Sequence, residues 1–491
     1  MMKHALTVKQ SLLYTDLSII GNRGRYFNEV LGIDYQLENV LYRDGQISWV
    51  YDGDIEYNRA LLSTRSMNSA VRLFVNCLSA ETASLKETAD QIGRRNDFSG
   101  LSHEELQRIL RRYVGAYLRN MPFLFMFWNT EKLLTKQLEE FDLAILYGKE
   151  DIDEILHSVL IPSGANYIAK ERESLLQLAL KISEDPGITG SLLTSPLEQV
   201  ISVIKFKPTI DSLLTAHVDQ FAFTSTAFHL NPPLSSIAVL QRVKELLSEN
   251  PKEMSARERR AKEDQKEKCD QWMSGLGQFP DVLERIGLLQ DLLFWKNERI
   301  DIQFLSDYRV RGLFEELAER MSISLPELVF LTYEEIERWF DTRALPVDKS
   351  TLHERIKGYA YSVDGGRISI TTEFESDETN IQRGEVREIR GDIANRGKAE
   401  GLVKIVSGVD DMSKVNRGDI LVTSMTRPEM IAALEKAAAF VTDQGGRLCH
   451  AAIVSREMNK PCIVGTEFAS KVLKDGQRVQ VDADRGIVTI I

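Results

Sequence analysis

The chain has 491 residues, 43% of them apolar and 27% charged, and a formal net charge of −12. That length supports two or three domains with ample core, and the composition is ordinary for a soluble globular protein. The acidic balance argues against a general nucleic-acid binder, and the longest strongly apolar stretch, Met121 to Trp128, is far short of the roughly 20 residues that span a bilayer.

The N-terminus, Met1-Met-Lys-His-Ala-Leu-Thr-Val-Lys, lacks a long apolar run, so no signal peptide is expected. Val40 to Tyr51 reads as a hairpin, two β-prone runs flanking Arg43-Asp44-Gly45. From about residue 55 to 345 the pattern is mainly helical. Capping-box signatures punctuate it at Ser102/Glu105, Ser195/Glu198, Ser255/Glu258 and Thr332/Glu335. Basic runs such as Arg257-Glu-Arg-Arg260 alternate with acids at helical spacing and read as a solvated face. No internal repeat is visible.

Three features of this helical region are candidate binding elements. The aromatic and Met-rich run 121–128 is compatible with plain core or with a pocket for a large apolar ligand. Lys296 and Arg299 lie one helical turn apart, suited either to a solvated face or to holding a phosphate together. A base for deprotonating a hydroxyl is offered by His217 with Asp219, or equally by His229; His217 and Asp219 at i, i+2 do not share a helix face.

Residues 358–388 change character. Tyr359 onward reads as a hairpin around Asp364-Gly365-Gly366, and a polar stretch from Glu373 follows. A hinge is expected here. Short β-prone runs with Gly turns then start at Ile389, and Thr426 with Glu429 is expected to open a helix. The four cysteines (Cys77, Cys269, Cys449, Cys462) show neither CxxC nor metal-ligand spacing, so reduced thiols in a cytoplasmic protein are expected and no metal site.

The most informative stretch is Thr442-Asp-Gln-Gly-Gly-Arg-Leu-Cys-His-Ala-Ala-Ile-Val-Ser-Arg-Glu457. An apolar strand ends in a Gly-Gly turn, and an apolar helix begins beside His450. The free N–H groups and positive dipole end of a helix N-terminus favour an anion. A neutral imidazole, with its reference pKa of about 6.5, is a competent nucleophile near pH 7. A satisfied cap or core histidine is the bland alternative.

This stretch resembles the phosphohistidine motif of the swivelling domain in the phosphoenolpyruvate synthase and pyruvate phosphate dikinase superfamily. The flanks agree: Gly418-Asp-Ile-Leu-Val422, Met425-Thr-Arg-Pro-Glu429, Pro461-Cys-Ile-Val-Gly465, Leu473-Lys-Asp-Gly476 and Val481-Asp-Ala-Asp-Arg-Gly-Ile-Val488. The resemblance implies that His450 carries the phosphoryl group between two sites, with Thr442, Gly445, Gly446 and Arg447 holding the phosphate. Synthase relatives often have a regulatory Thr two residues before the histidine; Leu448 stands there, which puts that regulation in doubt.

A second resemblance rests on Leu325 to Phe340 with Arg355. It is similar to the end of the substrate domain in rifampin phosphotransferase and in the larger subunit of phenylphosphate synthase. It implies that Lys296 and Arg299 lie in a basic helical stretch facing the phosphohistidine; these two, with His217, are the expected substrate-binding residues. The implied fold is multidomain α and β: a large mainly helical substrate domain (1–357), a hinge (358–388) and a small β/α swivelling phosphohistidine domain (389–491). The implied function is a phosphotransferase component. ATP and Mg²⁺ are then expected on a separate ATP-grasp subunit, and a small organic acceptor, hydroxyl or carboxylate, is expected to receive the group. Alternatives are a ligase component that activates a carboxylate as an acyl phosphate, and a non-enzymatic relay or regulatory subunit.

Overall fold

In a computed structural model, the described residues are 2–7, 12–21, 25–31, 40–43, 46–50, 66–95, 97–147, 152–226, 229–248, 250–364, 367–372, 387–426, 430–446 and 449–491. The chain forms two compact, interleaved units. One comprises Met1–Gly164, Ala227–Asn231 and Cys269–Glu378, and the other Ala165–Thr226, Pro232–Lys268 and Thr379–Ile491. The division does not follow sequence order, since helices from 165–268 group with the C-terminal region. Together the elements give the expected fold class, mainly helical with a β/α region at the C-terminal end. No helix among the described residues is long and apolar enough to cross a membrane.

The first unit is built on long helices, Met67–Gly93, His103–Asn120 and Pro280–Arg309. The helix His103–Asn120 starts with the expected capping box, Ser102 accepting from Glu105 N and Glu105 accepting from Ser102 N. It buries Leu106, Leu110, Tyr113, Val114 and Tyr117 at i, i+4, i+7 spacing. Thr332 and Glu335 form a second box as expected, and Ser324 with Glu327 a third that the sequence reading missed. Two expected boxes are absent. Ser195 is extended and closes the helix Pro186–Thr194, leaving Pro196 as the next N-cap. Ser255 sits inside a helix that already starts at Pro251, after Asn250 in the left-handed region (φ 59°).

The sheet of this unit has the order β1-β3-β2-β4-β5, from β1 (Met2–Thr7), β2 (Val40–Arg43), β3 (Gln46–Val50), β4 (Ala360–Asp364) and β5 (Arg367–Thr371). The strands of both expected hairpins pair antiparallel, β2 with β3 and β4 with β5; Asp44-Gly45 and Gly365-Gly366 lie outside the described residues. The first part of the expected hinge is therefore a hairpin paired to β2; residues 373–386 lie outside the described ones. Buried hydrogen bonds fix Asp16 beneath this sheet, its carboxylate accepting from Tyr361 Oη (2.7 Å) and Tyr333 N (2.8 Å). Burial raises its pKa to about 6 against those two donors.

In the second unit an eight-stranded mixed sheet has the order β6-β13-β12-β8-β9-β10-β11-β7. Its strands are β6 (Glu388–Arg390), β7 (Asp392–Asn395), β8 (Lys398–Ile405), β9 (Ile420–Thr423), β10 (Ala439–Thr442), β11 (Cys462–Val464), β12 (Arg478–Asp482) and β13 (Ile487–Ile490). Strands β8, β9, β10 and β11 run parallel. Every residue of β9, β10 and β11 is buried, as expected of strands covered on both faces. Phe440 points with Leu421, Ala451, Ala452 and Val454 into one apolar layer; Ala439 and Val441 point with Ile420, Val422 and Ile463 into the other. The short helices Ile431–Lys436 and His450–Glu457 are the crossovers from β9 to β10 and from β10 to β11. Thr426 precedes residues 427–429, which lie outside the described ones, so the expected helix start there is not described.

The helices 165–268 are held to this sheet by buried charges. Arg242 donates to both oxygens of Glu171, and to Glu435 on the crossover helix (Nε to Oε2 and Nη2 to Oε1, both 3.1 Å). Arg172 reaches Glu435 (2.7 Å) and Glu258 (2.9 Å). Burial alone would raise the pKa of Glu171, but Arg242 and His217 more than offset it and bring it to about 2. A carboxyl depressed on folding contributes stability above its unfolded pKa of about 4.3, and loses it as pH falls towards 2. Acid titration, followed by hydrogen exchange in the helix Tyr167–Ser183, should show protection falling across that window. Arg242→Met takes one guanidinium from two buried carboxylates, leaving Glu435 with Arg172 and Glu171 with His217, and should cost about 3 kcal/mol in urea unfolding.

Candidate functional site

The carboxyl edge of the parallel strands is where an open α/β sheet binds ligands, because the crossover helices begin there. In this sheet that edge carries the loops after β9, β10 and β11. Backbone hydrogen bonds lace them together: Asp443 N to Thr423 O (3.1 Å), Gln444 N to Ser424 O (3.0 Å), Thr466 N to Thr442 O (3.0 Å) and Glu467 N to Asp443 O (2.8 Å). Asp443 is 5% exposed and ties the loop after β10 to the helix Ala469–Val472, accepting from Ser470 N (2.8 Å) and Ser470 Oγ. Burial raises its pKa against the hydrogen bonds from Ser470.

His450 is the first residue of the helix His450–Glu457, with Cys449 extended at the N-cap and no side-chain capping bond. Cys449 N closes a turn onto Gly446 O (3.0 Å). The first-turn amides of this helix thus open at the carboxyl edge of β10, where an anion gains from donors and dipole together. Of the expected phosphate-holding residues, Gly445 and Gly446 are exposed at this edge. Thr442 is fully buried, and its hydroxyl donates to Gln444 O (2.7 Å), so it shapes the loop. Arg447 and Leu448 lie outside the described residues, and of His450 the backbone is described.

The two glycines differ. Gly445 has φ +110°, and a Cβ there would lie 2.7 Å from Cys449 Sγ; Gly446 has open space around a Cβ. Gly465, at φ +67°, brings the loop after β11 against Gly445 O, 3.0 Å from an added Cβ. The far end of the helix is fixed too. Asn395 Nδ2 donates to Ser455 O (3.2 Å) and Lys460 O (2.9 Å). Lys460 Nζ caps the neighbouring crossover helix on Leu434 O, Glu435 O and Ala437 O, and burial lowers its pKa to about 8.

The acceptor candidates fall in different places. His217 is in the second unit, fully buried, with Nδ1 2.9 Å from Ser174 Oγ and Nε2 3.2 Å from Glu171 Oε1. Those are the surroundings of a core histidine in a charge network, and its expected partner Asp219 is exposed on another face. Lys296, Arg299 and His229 are in the first unit. The solvated face allowed for Lys296 and Arg299 is excluded, since both are buried; Lys296 pairs with Glu131 at 2.8 Å. In the run 121–128, Met121 and Phe123 are buried, while the side chains of 124–128 are not among those described.

A signal the sequence reading missed lies on the same helix. Lys296, Arg299, Gln303 and Asp307 recur at spacings of three, four and four, which puts four polar residues on one face. All four are buried.

Residues 415–486 match the family model described as PEP-utilising enzyme, mobile domain. A probable phosphoenolpyruvate synthase of Archaeoglobus fulgidus is 46% identical over 139 residues, 26% of this chain and 18% of that protein. The phosphoenolpyruvate synthase of Pyrococcus furiosus is 44% identical over 139 residues, 26% of this chain and 17% of that protein. The phosphoenolpyruvate synthase of Escherichia coli is 33% identical over 171 residues, 33% of this chain and 21% of that protein. The chain spans about a fifth of the length of these relatives.

Gly445→Ala should lower stability by about 1–3 kcal/mol, the range for a residue forced into a sparsely populated conformation. Gly446→Ala should stay within about 0.5 kcal/mol of wild type. Thermal unfolding of the two variants side by side checks the contrast.

Proposed function

We propose that this chain, whose residues 415–486 are a mobile domain of the phosphoenolpyruvate synthase and pyruvate phosphate dikinase superfamily, is the phosphohistidine-carrying component of a phosphotransferase. The observation that carries the reading is the place of His450: first residue of a crossover helix, at the carboxyl edge of β10, behind a Gly-Gly turn. An imidazole there attacks a phosphoryl group while first-turn amides receive the oxygens that leave with it. Phosphoryl transfer relies on positioning and charge stabilisation more than on covalent chemistry from the protein, which a helix terminus on a rigid sheet supplies.

The donor in this reading is ATP, bound with Mg²⁺ by an ATP-grasp module on a separate subunit. The acceptor is a small organic molecule held by the helical unit.

The test is phosphorylation of His450. The full chain is incubated with Mg-ATP, with and without a co-purifying or neighbouring ATP-grasp protein, and intact mass is read for an acid-labile phosphoryl adduct. The expected adduct requires the second protein and is absent from His450→Ala. An adduct with ATP alone would overturn the separate donor subunit. No adduct under any condition, with the partner shown to hydrolyse ATP, would overturn the carrier reading.

A further inference from the structure

In the second unit, helices 165–268 meet the sheet region through charged groups. Glu435, near the end of the crossover helix Ile431–Lys436, accepts from Arg172 Nη1 (2.7 Å) and from Arg242 Nε and Nη2 (both 3.1 Å). Lys436 beside it pairs with Glu245 at 3.2 Å, and Arg417 Nη1 lies 3.5 Å from Ser248 Oγ. The apolar clusters keep to their own sides. One is drawn from residues 175–254, and two are drawn from residues 389–490.

These contacts share one edge of the sheet. The crossover helix leaves β9 at its carboxyl end and feeds β10 at its amino end, so Glu435 and Lys436 stand by the amino edge. Arg417 stands just before β9, at the same edge. His450 follows β10, at the carboxyl edge. The strands between are three or four residues long, which at about 3.3 Å per residue sets the two edges about 10 Å apart.

The network is arranged so that separation leaves neither arginine without a carboxylate. Arg242 also donates to both oxygens of Glu171, and Arg172 also pairs with Glu258 at 2.9 Å. Both of those carboxylates belong to helices 165–268. Glu435 is the member from the sheet side, and on separation it passes into water. A misaligned contact would strand a charge, whereas full separation returns Glu435 to hydration. Buried ion pairs largely offset their own desolvation and add little net attraction. Relative motion is the default across a polar interface of this kind, which lacks the apolar core of a permanent one.

We propose that the amino edge of the sheet, centred on Glu435, is a reversible docking surface for helices 165–268, which hold the sheet domain from the side remote from His450. The charges set one alignment, and the separate apolar cores let each side stand without the other. A dock at this edge leaves the carboxyl edge, with the first turn of the His450 helix, to meet a donor or an acceptor. The inference goes beyond the carrier reading and is tested without phosphorylation, so each can fail by itself.

The test is zero-length cross-linking of the full chain. A water-soluble carbodiimide joins an amine to a carboxylate in contact with it, as an amide, with loss of water. The side chains of Lys436 and Glu245 are 30% and 33% exposed, so the reagent reaches them. Lys398 and Asp482, paired at 2.9 Å between β8 and β12, are the standard for a folded sheet domain. Peptide mass spectrometry should find both links in the wild-type chain. Glu435→Arg sets a third cation against Arg172 and Arg242, and should lower the Lys436–Glu245 link at least about fivefold relative to the standard. Raising NaCl from about 0.05 M to about 1 M should lower it at least about threefold in the wild type, because charges that separate into solvent are screened. If Glu435→Arg loses the standard link as well, that variant has not folded and Glu435→Gln decides, with a loss of about twofold or more expected. Absence of the Lys436–Glu245 link from a wild-type chain that forms the standard, or an undiminished link in the folded Glu435 variant, would overturn the docking surface. A link that salt leaves unchanged would overturn its reversibility.

Discussion

Two arginines hold the second unit together. Arg242 and Arg172 converge on Glu435, and Arg242 also grips Glu171, with all four groups largely or wholly removed from water. Ion pairs at such sites do not add stability over well-packed apolar groups, but they fix one arrangement because any other strands a charge. Glu435 sits on the crossover helix between β9 and β10, whose last carbonyls are capped by Lys460. The helices of 165–268 are thus tied to the sheet element next to the one that bears His450. His450 is thus presented from a larger body than the β/α fold alone.

The loop before His450 obeys a constraint of a different kind. It must turn sharply from a fully buried strand into a helix whose first amides stay open. Asp443 and Thr442 spend their side chains on the turn, and Gly445 takes a conformation in which no Cβ fits beside Cys449. Thr442, Asp443 and Gly445 therefore answer to backbone geometry. Gly446 is the exception: nothing crowds it, so its smallness leaves room at the helix terminus.

These two constraints differ in how far they can be read from sequence. The turn is local: strand, Gly-Gly, histidine and apolar helix follow within a dozen residues, and periodicity with a helix-start signal suffices to place them. The hairpins at Val40 and Tyr359 were legible for the same reason, although their pairing to each other through β2 and β4 spans more than 300 residues and was not. The charge network was invisible because its members sit at 171, 172, 242 and 435, each looking like an ordinary helical surface charge. The capping boxes at Ser195 and Ser255 failed through competition: Pro196 and Pro251 each set a helix start of their own, and the serines fell one residue early and four residues late.

The polar face of the helix Pro280–Arg309 lies between these cases. Its spacing is local and countable, yet a stripe of Lys, Arg, Gln and Asp normally marks the solvent side. The meaning inverts only when the opposing helix is known to offer Tyr113, Tyr117 and Asn120 at spacings of four and three. Gln303 donates to Asn120 (2.9 Å), and Asn120 donates to Thr82 (3.0 Å), so the middle of the stripe is satisfied. The groups left without partners stand on either side of it, at Arg299 and Asp307. A fold selected for stability alone would fill those positions with apolar residues, as the neighbouring Leu292, Leu293 and Phe304 show it can. Retaining a buried guanidinium with open donors is a stability cost that packing alone does not explain.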